Sequence, residues 1–484
     1  MRLLFVCLLA CCAAAAELPN VVFLEPVGKV NSASAEIQEK MPLYRRVADA
    51  SKFSPWLRYE SAQRALRLYA QAAHIASPAA SIPDYYVALV QGGNHAAVGF
   101  KLETSDGVKE FPRTPYILLD ADPAWFESTM FHETGHVAMM MLAGGRRLEG
   151  NEVASIPHST AALSGRTSAF NEGYAIHLET LAAHRAHDAS LRSKYQHYTV
   201  QFGDAPYRQN EYYRDASDLT TFSQDQARYY DVRENYFAFE SAFHAPDYLR
   251  VQLERARDFA ALRDANQLLQ SEGFYASFFF LFAMRGKELP AEEVITQRED
   301  RMLRAMAAMF AAGKSDISRP WLLDLVTQYM RLFPEDSAEI VDALNDLSHG
   351  VFVDPGAAAL WRDHYLASLR LDLQHLNRDA INATRKRWRE QVLADPRVLH
   401  ARLGPELVCT VPSVKVRLIA FGEDSPLRFD VNTVQEGILR LIPGIADDEI
   451  ARILKERASA PFTGAGDFRN RAGLRAATLA QLTL

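Results

Sequence analysis

The chain has 484 residues, of which 48% are hydrophobic and 23% are charged. A chain of this length can bury several hydrophobic cores, and the length predicts two to four domains. The formal net charge of -7 excludes an overall basic field of the kind that would imply nucleic acid as the main partner.

The first residues have the pattern of a secretory signal peptide. Arg2 is followed by an unbroken apolar run from Leu3 to Ala16, which ends in four alanines. We therefore predict a signal peptide at 1–16, cleaved after Ala16, and an exported bacterial protein that is periplasmic or secreted. A lipoprotein that is acylated at Cys11 is the alternative interpretation of the same segment.

Only one of the four cysteines, Cys409, lies outside the predicted signal peptide. The mature chain would then have no internal disulfide, and Cys409 is expected to be a small buried hydrophobic residue. No other apolar run has the length of a membrane span, since the strongest candidate, 274–284, is too short. The fold must therefore be stabilised by core packing, and a contribution from a bound metal stays open.

Residues 17–83 form a mixed N-terminal segment with a helix over 55–76, where apolar residues recur at helical spacing. Three short β-prone runs follow at 86–90, 97–100 and 116–119, separated by turns rich in glycine, asparagine and aspartate. They predict a small antiparallel, meandering sheet.

From Asp120 the pattern becomes helical and stays helical to about Asp395. Asp122 and Pro123 predict the N-cap and first turn of a helix that runs to Gly144-Gly145. A connector of helix and strand at 351–426 leads into a last compact unit at 427–484.

Two histidines four residues apart stand in the pentapeptide His132-Glu133-Thr134-Gly135-His136. On a helix they lie on one face about one turn apart, so both imidazoles can reach one cation. Glu133 then points beside the metal, where a carboxylate can take a proton from a bound water. The residues that flank the pentapeptide are uncharged, as a buried catalytic helix requires. The pattern predicts a Zn2+ site.

A catalytic zinc also needs a third protein ligand and an open fourth position. The metzincin class would place glycine and histidine where this chain has Met139 and Leu142, so that class is excluded. Further along, the segment Asn171-Glu172-Gly173-Tyr174-Ala175 places a glutamate at the start of an apolar helical run.

With these two motifs the sequence resembles the gluzincin clan of zinc peptidases over about 85–240. The resemblance implies that His132, His136 and Glu172 are the zinc ligands. It also implies that Glu133 acts as the general base and acid.

Some residues of the site stay open at this stage. Glu272, in a similar setting, is the rival third ligand, although it lacks the preceding asparagine. Clan relatives supply a Tyr or His that stabilises the oxyanion some tens of residues after the third ligand, and Tyr236 is our choice among the candidates there. His158 and His177 are expected to be loop or core residues, with a supporting place beside the metal as the alternative.

The last unit, 427–484, carries a separate resemblance. Its segment Leu439-Arg440-Leu441-Ile442-Pro443-Gly444-Ile445 and the helix-forming stretch after it are similar to the helix-hairpin-helix domain of competence DNA receptors and of a type II secretion pseudopilin. The second hairpin glycine of the DNA-binding members is Ala446 here, and three acidic residues follow. The unit has eight basic against seven acidic residues. Little charge is available to attract phosphates, so we predict a protein-contact module rather than a nucleic-acid partner.

Together these features predict an α+β, mainly α-helical fold, with a zincin-like domain at 84–350. The predicted function is that of an exported zinc metallopeptidase acting on a peptide or protein substrate. A non-catalytic envelope assembly protein is the alternative, and a DNA-associated protein acting through 427–484 is another.

Overall fold

The structure is a computed structural model. It describes residues 18–27, 41–91, 93–148, 166–185, 265–270, 272–285, 292–312, 320–348, 350–354, 377–401 and 444–479, together with short stretches between 356 and 439. The predicted signal peptide, Cys11, His158, Tyr236 and Cys409 lie outside the described residues.

Five strands near the start of the chain form a closed barrel, in the order β1-β2-β4-β5-β3. Their bounds are β1 Val21–Pro26, β2 Leu43–Arg46, β3 Tyr85–Val90, β4 His95–Thr104 and β5 Gly107–Asp120. The three predicted strands lie within β3, β4 and β5, but the prediction that the sheet is antiparallel is wrong. Strand β3 pairs in parallel with both β1 and β5, and β2 pairs in parallel with β4.

The physical reason for this difference lies in β3. Residues Tyr85 to Ala88 are all buried, as is typical of a strand with a neighbour on each side and other elements on both faces. The short 91–94 turn suggested a hairpin of β3 with β4, whereas β4 forms its hairpin with β5 instead. Strand β5 is long enough to pair with β4 first and with β3 only at its end.

Alternate side chains of β3 belong to two different cores. Tyr86, Ala88 and Val90 point into the barrel, where they meet Phe100 and Tyr116. Tyr85 and Val87 point outward into a larger core made with the helices. The barrel therefore presents an apolar outer face on which the helices pack.

Ten α-helices interrupt or follow the barrel in the described residues up to Ala394. They are α1 Glu60–Ala76, α2 Pro123–Ser128, α3 Met130–Leu142, α4 Arg166–Arg185, α5 Ala265–Leu268, α6 Glu272–Ala283, α7 Glu292–Ala312, α8 Trp321–Leu332, α9 Ser337–Ser348 and α10 Arg378–Ala394. Among the described helices, none is long and apolar enough to cross a membrane. The helices and the barrel make an α+β fold.

The single helix predicted after Asp122 is two helices, α2 and α3. Its start is as predicted, because the Asp122 side chain accepts a hydrogen bond from the Ala124 amide at 2.8 Å and Pro123 lies in the first turn. The helix is broken at Thr129 and resumes at Met130. It ends at Leu142, before the two glycines at 144 and 145, which have positive φ angles of 80° and 71°.

A short antiparallel pair joins the connector to the last unit, with β6 Arg417–Ile419 in the connector and β7 Arg428–Asp430 at the start of the last unit. Three helices follow, α11 Asp447–Ser459, α12 Ala465–Ala472 and α13 Ala476–Leu479. Phe462 and Phe468 pack edge to face at 4.9 Å between ring centroids and join α11 to α12 through a small core.

Candidate metal centre

Helix α3, which carries the pentapeptide, is tied to the barrel by a buried hydrogen bond. The hydroxyl of Thr134 donates to the backbone carbonyl of Met130 at 2.6 Å, so it can accept from the hydroxyl of Tyr85, which lies 2.6 Å away. Tyr85 is on the outward face of β3, and Thr134 is fully buried. This contact fixes the rotation of α3 against the barrel and thereby the direction in which His132 and His136 point.

Helix α4 approaches α3 closely because Gly135 has no side chain. A Cβ atom at Gly135 would lie 2.7 Å from Leu178 Cδ1 and 3.3 Å from Ala175 Cα, both on α4. On its other side α4 is equally close to α6, since a Cβ at Gly173 would lie 2.6 Å from the backbone oxygen of Glu272. The small residues thus bring Glu172 on α4 within reach of the two histidines on α3.

The donor atoms of His132, His136 and Glu172 meet at one point. The two Nε2 atoms are 3.1 Å apart, and Oε2 of Glu172 is 3.3 Å from that of His132 and 3.4 Å from that of His136. Among the described residues this group of three is placed to hold a metal ion. The side chains are 7–17% exposed, so the group lies at the edge of the core.

A second carboxylate reaches the opposite side of the His132 ring. Oε1 of Glu179 lies 2.9 Å from Nδ1 of His132, although the N–H direction is not well aligned with that oxygen. Burial by itself would lower the pKa of His132, but Glu179 and Glu172 outweigh it and hold the pKa well above the ordinary value of 6.5. His132, on α3, therefore lies between two acidic side chains of α4, Glu172 and Glu179.

Glu133 is buried beside this group, with 5% of its surface exposed. Burial raises the pKa of its carboxyl above the usual range, while His132 and His136 pull it down in part. One of its oxygens, Oε2, has no hydrogen-bond partner among the described residues. That oxygen is placed to accept a proton.

His95, at the start of β4, is a neutral neighbour of the group. Burial lowers its pKa to about 4, with smaller contributions from the positive charges of Arg147 and His136. Its Nε2 is buried and has no hydrogen-bond partner among the described residues. His95 could not be predicted from the sequence as a neighbour of the group, because its position depends on how the strands pair in the barrel.

Other residues singled out from the sequence lie elsewhere. The rival ligand Glu272 is buried on α6 and does not join the group, which contains Glu172 instead. His177 is buried in the core, its Nδ1 faces the backbone carbonyl of Tyr174, and its ring lies 5.2 Å from that of Phe279. Burial lowers the pKa of His177 to about 3, so it is a neutral core histidine.

The chain matches no family model, no curated protein and no solved structure. Two imidazoles and a carboxylate can bind a divalent cation, and a buried carboxylate beside them can move a proton.

Three residues that shape the site were not predicted from the sequence. Glu179 has one signal in the sequence, because it stands seven residues after Glu172 and so on the same face of a helix. Gly135 and Tyr85 act through packing against elements distant in the sequence, and no local pattern indicates them.

Proposed function

We propose that this protein is a zinc-dependent peptidase in which His132, His136 and Glu172 bind the metal. The observation that carries the proposal is the triangle of donor atoms with edges of 3.1, 3.3 and 3.4 Å. Ligands of a tetrahedral zinc with bonds of about 2.1 Å lie about 3.4 Å from one another. The three donors therefore fit one zinc ion and leave a fourth position for water or substrate.

When bound, zinc would lower the pKa of a coordinated water and polarise the carbonyl of a peptide bond. Glu133 would take the proton from the attacking water through its unpartnered oxygen. Its raised pKa suits this step, because a base whose pKa lies closer to neutral can also return the proton. The proton would pass to the amine nitrogen as the carbon–nitrogen bond breaks.

Tyr236 is proposed to donate a hydrogen bond to the oxyanion, as the gluzincin resemblance implies. A donor aimed at the developing negative charge is worth roughly 10²–10³-fold in rate. Tyr236→Phe should therefore lower kcat while leaving zinc binding and KM close to those of the unsubstituted protein. An unchanged kcat would assign this role to another donor.

Export is proposed from residues 1–16, with a protein or peptide outside the cytoplasm as substrate. The unit at 427–484 is proposed to contact a protein. In its hairpin the Ala446 amide donates to Oε2 of Glu449 at 3.0 Å, so that the carboxylate of this chain takes the place a phosphate would need.

The experiment that tests the proposed activity uses an unfolded protein, such as reduced casein, and detects new peptide termini by mass spectrometry. We expect the zinc-loaded chain to cleave it and Glu133→Gln to be slower by roughly 10²–10⁴-fold. Glu293→Gln, at an exposed position of α7, is the matched control and should cleave normally. Equal rates for the unsubstituted protein and Glu133→Gln would contradict the proposal and favour a non-catalytic role.

A further inference from the structure

His132 and His136 differ in the surroundings of their Nδ1 atoms, which face away from the group of donor atoms. Nδ1 of His132 lies 2.9 Å from Oε1 of Glu179. The N–H direction there is off that oxygen, so the contact is a close approach of charge rather than an aligned hydrogen bond. Nδ1 of His136 is also buried, and no carboxylate lies as close to it among the described residues. Only His132 therefore has a carboxylate behind it.

The position of Glu179 follows from the packing of α3 on α4. Glu172 and Glu179 are separated by seven residues, or two turns, so both side chains leave α4 on the face that meets α3. The close approach at Gly135 sets these two turns against His136 and His132. One glutamate consequently reaches the inner nitrogens, and the other reaches the outer nitrogen of His132.

The chemical consequence concerns the tautomer of His132. A neutral imidazole carries its proton on either Nδ1 or Nε2, and only the nitrogen without the proton can bind a cation. A carboxylate beside Nδ1 favours the tautomer with the proton on Nδ1 and leaves the lone pair on Nε2. That lone pair faces Nε2 of His136 and Oε2 of Glu172.

We infer that Glu179 is a positioning residue that accepts the Nδ1–H of His132 and so orients its Nε2 toward the bound metal. This inference rests on one part of the proposed function, the binding of a cation by the three donors, and does not require peptidase activity. It adds that the affinity for this cation depends on a residue that does not touch it.

The test measures zinc binding by competition with a chromophoric chelator, on the full chain after metal removal. Partners that orient a metal-binding histidine are worth roughly 10–100-fold in metal affinity, so we expect Glu179→Ala to weaken zinc binding by about that factor. Glu179→Gln should lie between this variant and the unsubstituted protein, because its amide oxygen still accepts from Nδ1–H but carries no charge. Glu293→Gln controls for the loss of a distant negative charge.

Two further readouts separate positioning from a merely structural role. The thermal unfolding of the metal-free variants should match that of the unsubstituted protein, since the Glu179 side chain is 29% exposed and little core is lost. In the cobalt-substituted protein, Glu179→Ala should shift the visible absorption bands, because the ring of His132 is no longer held in one orientation.

An affinity of Glu179→Ala within about threefold of that of the unsubstituted protein would overturn the inference and leave the zinc site itself standing. A lowered unfolding temperature with unchanged zinc affinity would overturn it as well. Failure of the unsubstituted protein to bind zinc would instead reject the proposed function. If Glu179→Ala does not fold, the affinity of Glu179→Met, which keeps the bulk of the side chain without an acceptor oxygen, decides the matter by the same criterion.

Discussion

At the scale of single residues, the position of a histidine relative to two helices decides whether it can bind a metal. His136 and His177 are both buried, but His136 points from α3 toward Glu172, while His177 points from α4 into a cluster of aromatic rings. Both residues are buried, so burial alone does not distinguish a ligand from a core residue. The neighbouring donor atoms do.

We expect His136→Ala and His177→Leu to have opposite effects. His136→Ala removes one of the three proposed zinc ligands and should abolish stoichiometric zinc binding, with little loss of apolar packing. His177→Leu should retain zinc but lower the free energy of unfolding by about 1–3 kcal/mol, because it removes the contact of Nδ1 with the Tyr174 carbonyl and disturbs the packing against Phe279. Zinc titration and urea unfolding of both variants measure this, and zinc binding by His136→Ala would contradict it.

The residues of the site could be predicted from the sequence to different extents. His132 and His136 follow from helical spacing alone, and Glu172 follows from a second motif that resembles a known one. Glu179 could not be predicted, because which residue of α4 meets the outer nitrogen of His132 depends on how the two helices cross. The role proposed for Tyr236 stays a prediction.

At the scale of elements, three helices are held together by glycines. Gly135 allows α4 to approach α3, and Gly173 allows α6 to approach α4 from the other side. Glycine in a helix interior costs roughly 0.5–1 kcal/mol relative to alanine, so these residues weaken each helix locally. The close packing that they permit offsets this cost and places Glu172.

We expect Gly173→Ala to destabilise the protein in spite of the better helix propensity of alanine. Its Cβ would lie 2.3 Å from Tyr275 Cβ and 2.6 Å from the Glu272 backbone oxygen, so α6 must shift. Overpacking of this kind costs about 1–3 kcal/mol. The matched control is Gly466→Ala on α12, where no atom lies within 4 Å of the added Cβ and stability should rise slightly. Equal urea midpoints for the two variants would show that the packing at Gly173 is not tight.

For the strands, their location can be predicted from the local sequence, but their pairing partners cannot. The β-prone runs of β3, β4 and β5 could be predicted from the sequence, because they depend only on adjacent residues. The parallel pairing of β3 with β1 was not, since these strands are separated by helix α1 and nothing in either strand specifies its partner. Strand β2, with Arg45 and Arg46 exposed, carried too weak an apolar pattern to be predicted.

At the scale of the whole molecule, the barrel and helices carry the candidate metal centre, and the last unit is stabilised by a different device. Glu449 at the start of α11 is buried and accepts from the backbone amides of Ala446 and Arg475 and from the hydroxyl of Thr478. Burial opposes its charge, but these hydrogen bonds and the Arg475 guanidinium outweigh it and lower its pKa to about 2. One carboxylate thus joins the start of α11, at Ala446, to the residue before α13, Arg475.

We expect Glu449→Ala to open the last unit selectively. Leaving buried donors without their charged acceptor should cost about 3 kcal/mol, which corresponds to roughly 100-fold faster hydrogen exchange through local opening. Because the folded-state pKa is lowered, the stabilisation is complete above the ordinary value of 4.5 and is lost as the pH falls toward 2. The difference between Glu449→Ala and the unsubstituted protein should therefore shrink over that range.

The control for this prediction is Asp448→Ala, an exposed acidic residue of the same helix turn, which should change exchange little. Hydrogen exchange of the full chain, measured by mass spectrometry over 444–479, compares the variants. Exchange of Glu449→Ala no faster than that of Asp448→Ala would contradict the structural role of Glu449.

The central claim is that the three donor atoms of His132, His136 and Glu172 bind one zinc ion, and the most direct test is the zinc content of the purified chain. The unsubstituted protein should be stripped of metal, reconstituted, freed of loose ions and measured by elemental analysis beside three variants. We expect one zinc per chain in the unsubstituted protein and in Glu133→Gln, and none in His132→Ala or His136→Ala. A chain that cannot be reconstituted, or histidine variants that retain the zinc, would contradict the account.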